Sequence, residues 1–195
     1  MGRDKALLRI SGSALAVVVA DAIVAAGADR VVAIGGDRTA LNAEGLTVVA
    51  DRYPGEGPLG GILTALGHFE HSARPVAVLA CDLPGADPRN VAVAIEALAD
   101  LDGPAVAVPV ADGRRQWMHA SWTPATASLL SAAYVDGERA PWRAAEVLVR
   151  SGLRILEVDG PVPTGFRDVD QPLDLSSDRS SDVILEEPAD LETGR

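Results

Sequence analysis

Apolar positions along the chain fall into two rhythms. Leu15, Val18, Val19, Ala22, Ile23 and Ala26 recur at the spacing of one helix face, and Gly27 supplies a C-terminal stop. Short runs rich in Val, Ile and Ala occupy residues 30–34, 46–50, 75–80, 105–110 and 154–158. Each reads as a strand, and the continuous apolar run 75–80, bounded by Pro75 and Pro84, predicts one buried on both faces of a parallel sheet. Further helices are expected at 62–69 behind a Gly/Pro-rich loop, from Asp87-Pro88 with Val91, Ile95 and Leu98 as the buried stripe, after Thr123-Pro124 through 130–134, and at 141–151 before Gly152. Ser13 is placed to cap the first helix, and 173–175 to begin a last short one. Asp112-Gly113 predicts a hairpin turn, with 116–122 returning as a strand. The expected fold is α/β: a doubly wound, mostly parallel, Rossmann-like sheet with an antiparallel hairpin in its second half. Residues 1–175 read as a single domain, and 176–195, rich in Ser, Asp and Glu, as a disordered acidic tail.

Composition narrows this picture. A chain of 195 residues with 48% hydrophobic content supports one sizeable core, and with 4% aromatics that core is built from Ala, Val, Leu and Ile. A net charge of -11 argues against general nucleic-acid binding, which needs a basic face. The lone Cys81 rules out a disulfide within the chain and suits a reducing, cytoplasmic setting. No apolar run approaches the about 20 residues of a membrane span.

Candidate chemistry gathers at strand ends. Asp82 follows the 75–80 run, Asp51 follows 46–50, and Asp168 and Asp170 follow the last strand. In open α/β sheets ligands bind outside the carboxyl ends of the strands. A carboxylate there suits Mg²⁺, which takes a few carboxylates plus substrate phosphates. A turn or a helix cap is the other reading of Asp82 and of Asp51. Arg3, Lys5 and Arg9 form a small basic cluster in an acidic chain. The Gly57-Pro58-Leu59-Gly60-Gly61 loop leads into a helix whose N-terminus favours anions; a plain turn is its structural alternative. His119, between Trp117 and Trp122, reads as a packed histidine rather than a general base. Arg139 and Arg143 read as a solvated helix start, with an acceptor phosphate as the alternative.

Four segments carry a resemblance. Met1-Gly2-Arg3-Asp4-Lys5-Ala6-Leu7-Leu8, Gly57-Pro58-Leu59-Gly60-Gly61-Ile62, Ala80-Cys81-Asp82-Leu83-Pro84 and Asp168-Val169-Asp170-Gln171-Pro172-Leu173-Asp174-Leu175 occur in order across nearly the whole chain. Together the set resembles the molybdenum cofactor guanylyltransferase-like nucleotidyltransferases. The resemblance implies Mg²⁺-dependent transfer of GMP from GTP to molybdopterin with release of pyrophosphate, by a monomer or a partner-bound form. Relatives that use CTP or another phosphorylated acceptor, and inactive nucleotide- or partner-binding relatives, are the alternatives. It gives Lys5 and Asp82 the catalytic roles. Arg3, Lys5, Asp51, Gly57, Pro58, Leu59 and Asp82 fall on the nucleotide side, and Asp82 with Asp170 at the metal. The family's motif opens with a strand and a Leu-Ala-Gly-Gly loop before the part that begins here at Met1. The expectation is therefore a domain truncated at its N-terminus by a start set at an internal methionine. The family's Asn after the second strand is replaced by Gly35-Gly36-Asp37, and its later His-Pro by Trp117-Met118.

Overall fold

The structure, a computed structural model, describes residues 4–168. Its first defined residues make a tight turn: Lys5–Leu7 form one 3-10 turn, capped by Asp4, whose carboxylate accepts from the Ala6 N–H at 3.1 Å. A small hairpin follows, β1 (Arg9–Ile10) against β2 (Ser13–Ala14), reversing through Ser11 and Gly12 at φ of 50° and 85°. The hairpin corrects the capping expectation for Ser13. Ser13 pairs in β2, and α1 (Leu15–Ala25) starts without a side-chain cap, its Leu15 N–H donating to the Leu8 carbonyl at 2.8 Å. Gly27, at φ 91°, ends that helix region as the pattern predicts.

β3 (Ala33–Ile34) and β4 (Val48–Val49) pair in parallel around α2 (Arg38–Ala43). The periodicity could not announce α2, because in six residues it buries a single side chain, Leu41. It forms because Asp37 caps it, accepting from Thr39 and Ala40 N–H at 2.9 and 3.1 Å. α3 (Pro58–His68) starts at Pro58, four residues before the expected start at 62, with Gly57 at φ 88° before it. β5 (Val76–Ala77) leads to α4 (Pro88–Glu96), where Asp87 is the N-cap and Pro88 stands in the first turn as expected.

The second half builds the main sheet. β6 (Ala105–Ala111) turns through Asp112 and Gly113, at φ 50° and 71°, into β7 (Arg114–Arg115). The expected strand at 116–122 is interrupted by a 3-10 turn, Trp117–His119, before β8 (Ser121–Trp122). α5 (Ala127–Val135), α6 (Pro141–Leu148) and β9 (Arg154–Asp159) complete the described chain. The five-stranded sheet runs β5-β8-β6-β7, with β9 on the other side of β6. β8 is antiparallel to both β5 and β6, so β5 and β6 run the same way, and β9 is parallel to β6.

β6 shows why the sheet is covered on both faces. Its Val106 and Val108 side chains pack with Leu59, Ile62 and Leu66 of α3, Leu130 of α5 and Leu148 of α6. Its Ala105 and Ala107 point the other way, onto Ala94 of α4 and Leu98. The small residues admit α4 closely on one face while the branched ones fill the other. Each fully buried Val or Leu contributes about 1.5–3 kcal/mol.

Candidate active site

The site lies where strands end. From Val76 the backbone stays extended past the two residues of β5, with Val78 and Ala80 N–H donating to the Ala120 and Met118 carbonyls at 3.0 and 2.9 Å. Two residues later stands Asp82. Lys5, carried by the 3-10 turn, donates from Nζ to Asp82 Oδ2 at 3.3 Å. The Lys5 and Asp82 side chains are 34% and 19% exposed, so both remain open to a ligand. Cys81, directly before Asp82, lines the cavity beside them. Burial pushes its thiol up, and the neighbouring Asp82 and Asp4 carboxylates push it further.

Asp51 follows β4 and faces the same space, but its carboxylate is engaged. Oδ1 accepts from Thr64 Oγ1 at 2.9 Å and from Tyr53 N–H at 3.0 Å. Thr64, 1% exposed on α3, also accepts from Arg52 N–H at 3.1 Å. Asp51 therefore ties the strand end to the helix behind the Gly-rich loop. Within that loop Leu59 is fully buried and its N–H donates to the Arg139 carbonyl at 3.2 Å, while Gly57 and Pro58 line the open space.

That space is a cavity of about 450 Å³ between two strands that do not pair. One wall is residues 31–36, around β3; the other is 76–81, around β5. Ala33 and Gly35 donate their N–H groups to β4, so strand alternation turns those of Val32 and Ile34 toward the gap. Val78 and Ala80 donate toward the β8 side, which turns the groups of Ala77 and Leu79 toward the gap as well. The gap is thus flanked on both sides by strand edges whose outward N–H groups face it. Asp4, Gly35, Gly36, Asp51, Gly57, Pro58 and Cys81 stand around its C-terminal end. Asp4, Gly35 and Gly36 were not singled out from the sequence as site residues. The signal for the glycines was their pairing after a strand, and at φ 72° and 76° a side chain is disfavoured at both.

His119 is buried, and among the described residues its Nε2 has no hydrogen-bond partner. Burial depresses its pKa to about 4, with the Gly165 backbone and the Asp82 charge pulling the other way. It is therefore a neutral imidazole, packed edge-on to Phe166 with ring centroids 4.6 Å apart. Arg139 and Arg143 are engaged by carboxylates. Arg139 donates to Glu56 at 2.9 Å and lies over the Tyr134 ring at 3.9 Å; Arg143 pairs with Glu138 at 2.9 Å. The Arg143 guanidinium, helped by the Ala140 and Arg139 amides, holds the Glu138 carboxyl down at about 2. Arg139 thereby braces the Gly57 loop, whose glycine would carry a Cβ 3.4 Å from that of Arg139.

Arg3 and Asp170, as well as the short helix expected at 173–175 and the acidic tail, lie outside the described residues. Asp168 is described and exposed. Among the described residues no group of three or more His, Cys, Asp and Glu side chains is arranged to hold a metal. Asp82, a hard oxygen donor open to the site, fits a cation shared with substrate phosphates rather than one enclosed by protein alone. No helix among the described residues is long and apolar enough to cross a membrane.

Comparison with known proteins places this geometry. A family model described as MobA-like NTP transferase domain matches residues 1–151. A molybdopterin-guanine dinucleotide biosynthesis protein A from Archaeoglobus fulgidus is 19% identical over 90% of this chain and 88% of its own, with a TM-score of 0.65. A nucleotidyl transferase from Methanothermobacter thermautotroptrophicus is 20% identical over 87% and 81%, with a TM-score of 0.66. A Mycobacterium tuberculosis H37Rv protein solved with manganese is 23% identical over 87% and 88%, with a TM-score of 0.58. At these identities the likeness is one of fold. No curated protein matches the sequence.

Proposed function

This chain belongs to the MobA-like NTP transferase family, and on that premise we propose that it transfers GMP from GTP to molybdopterin. It is a nucleotidyltransferase, and the proposal concerns its substrates and the roles of its residues. A phosphate oxygen of molybdopterin bonds to the α-phosphorus of GTP, the bond from that phosphorus to the bridging oxygen breaks, and pyrophosphate leaves. The observation that carries the reading is the meeting of Lys5 with Asp82 at the strand ends, beside the Gly57-Pro58 entrance to α3.

The protein's task in such a transfer is positioning and charge neutralisation rather than covalent chemistry. Lys5 neutralises triphosphate oxygens. Asp82, with Asp170, holds Mg²⁺, which when bound supplies charge stabilisation to the phosphates. Arg3, Asp51, Gly57, Pro58 and Leu59 form the nucleotide side, Leu59 as the buried anchor of its loop. The gap between β3 and β5, faced by strand edges on both sides, supports the further reading that a strand preceding Met1 completes the sheet and brings a Gly-rich loop to the phosphates.

Pyrophosphate release from GTP and molybdopterin, measured with Mg²⁺ present, tests the proposal. Release with GTP that is lost in Asp82→Asn supports it. Preferential turnover of CTP overturns the choice of GTP. Nucleotide binding with no turnover, by a form carrying the additional strand, overturns the catalytic reading in favour of a binding relative.

A further inference from the structure

We propose that Asn90 is a positioning residue that fixes the 160–168 segment against the loop carrying Asp82 and so holds Asp82 in place at the site. The proposal rests on the nucleotidyl-transfer reading above.

Asn90 lies in the first turn of α4 and is 1% exposed. A buried amide side chain is costly unless both its ends are satisfied. Here a single residue, 72 positions away, satisfies both. Asn90 Nδ2 donates to the Val162 carbonyl at 2.8 Å, and Asn90 Oδ1 accepts from the Val162 N–H at 3.0 Å. The side chain thus pairs with Val162 as a neighbouring strand would. Aspartate at 90 would keep the acceptor and lose the donor; alanine would lose both.

The segment held this way is pressed onto the loop that carries Asp82. A Cβ on Gly85, three residues after Asp82, would lie 3.1 Å from the Thr164 carbonyl oxygen. A Cβ on Gly165 would lie 2.6 Å from Asn90 Nδ2 and 3.0 Å from the Gly85 oxygen. On the inner side Phe166 fills the space beside Gly160, where an added Cβ would come within 2.7 Å of its Cζ, and meets His119 edge-on. His119 in turn feels the Asp82 charge. Phe166 is buried, whereas Arg167 and Asp168 directly after it are exposed. The segment is therefore anchored up to Phe166 and open to solvent at Arg167 and Asp168. In a transferase whose metal would be held at Asp82, the Asn90–Val162 pair steadies the loop that presents that carboxylate.

The test combines hydrogen exchange with Mn²⁺–GTP binding followed by electron paramagnetic resonance, on the full chain and on Asn90→Ala. Gly85→Ala, which crowds Thr164 and leaves the Asn90 hydrogen bonds untouched, serves as a second variant should Asn90→Ala fold poorly. Expected are at least tenfold faster exchange over 160–168, unchanged exchange in β6, and at least tenfold weaker Mn²⁺–GTP binding, with Asn90→Asp intermediate. Unchanged exchange over 160–168 overturns the anchoring. Faster exchange with unchanged Mn²⁺–GTP affinity overturns the positioning role. A wild-type chain that binds no Mn²⁺–GTP overturns the transferase reading and with it the role of Asn90, and is told apart because the unmutated protein is already silent.

Discussion

Lys5 Nζ and Asp82 Oδ2 stand 3.3 Å apart although 77 residues separate them in the chain. With the Lys5 side chain 34% exposed, an ion pair of this kind contributes about 0–1 kcal/mol to stability. On the proposed reading, its place at the strand ends serves substrate binding rather than stability. Under that reading a triphosphate would offer Lys5 stronger partners and leave Asp82 for a cation.

Removing either group should accordingly separate activity from stability. Asp82→Asn and Lys5→Ala are each expected to lower pyrophosphate release on the order of 10²–10³-fold, the scale seen when one electrostatic contact to a transition state is lost. Melting temperatures should stay within a few degrees of the wild type. Rate assays beside thermal melts decide the matter, and a fully active Asp82→Asn variant would refute the metal role.

Thr64 and Asp51 give the opposite balance. Thr64 is buried, donates to Asp51 and accepts from the Arg52 N–H, so Thr64→Val takes a partner from each of two part-buried groups. The expected cost is about 1–3 kcal/mol of stability. Because Asp51 and the loop behind it then lose their tie to α3, KM for the nucleotide should rise more than kcat falls. Urea unfolding and steady-state kinetics would show both effects.

His119 makes stability depend on acidity. Its pKa is depressed to about 4 in the folded protein, against about 6.5 for an unfolded histidine. Between those values the unfolded chain binds the extra proton, so the stability that His119 contributes as a neutral group is complete above about pH 6.5. It declines as pH falls toward 4, by up to about 3 kcal/mol. Chemical denaturation of the wild type and of His119→Gln, compared at pH 7 and pH 4.5, isolates this share from that of the carboxylates. Parallel pH profiles for the two proteins would contradict it.

Much of this arrangement is legible in the sequence, and the limits have physical causes. Asp87-Pro88, Asp112-Gly113, Gly27 and Gly152 punctuate the chain as their backbone preferences require. The Val-rich runs identify the central strands because burial on both faces removes polar alternation. α2 and the β1–β2 hairpin escaped because their stabilising contacts, the Asp37 cap and the Leu15–Leu8 hydrogen bond, leave no periodic trace. The 3-10 turn at Trp117–His119 breaks a run that reads as one strand. At the site, Asp82 and Asp51 are legible as carboxylates at strand ends, and Lys5 and the Gly57 loop through the family resemblance. The ties that hold Asp51 to Thr64 and Glu56 to Arg139 join side chains far apart in sequence, and one chain carries no signal for them.

The gap between β3 and β5 yields a prediction about single amides. Val32, Ile34, Ala77 and Leu79 turn their N–H groups into it, whereas Ala33, Gly35, Val78 and Ala80 are hydrogen-bonded to paired segments. Unpaired edges facing a cavity lined by Ile23, Ile62 and Phe69 are open to water on the backbone side and apolar on the side-chain side, which is the chemistry that accepts an extended, mostly apolar segment. In this chain the first four amides should exchange on the order of 10²-fold faster than the second four, an alternation with a period of two residues along both walls. In a form that carries a strand preceding Met1, the alternation should vanish as both walls gain partners. Hydrogen exchange read residue by residue by nuclear magnetic resonance measures this directly. Uniform protection along 32–35 and 77–80 in the present chain would mean that the walls pair with something already in it, and the reading of the gap as a strand site would fall.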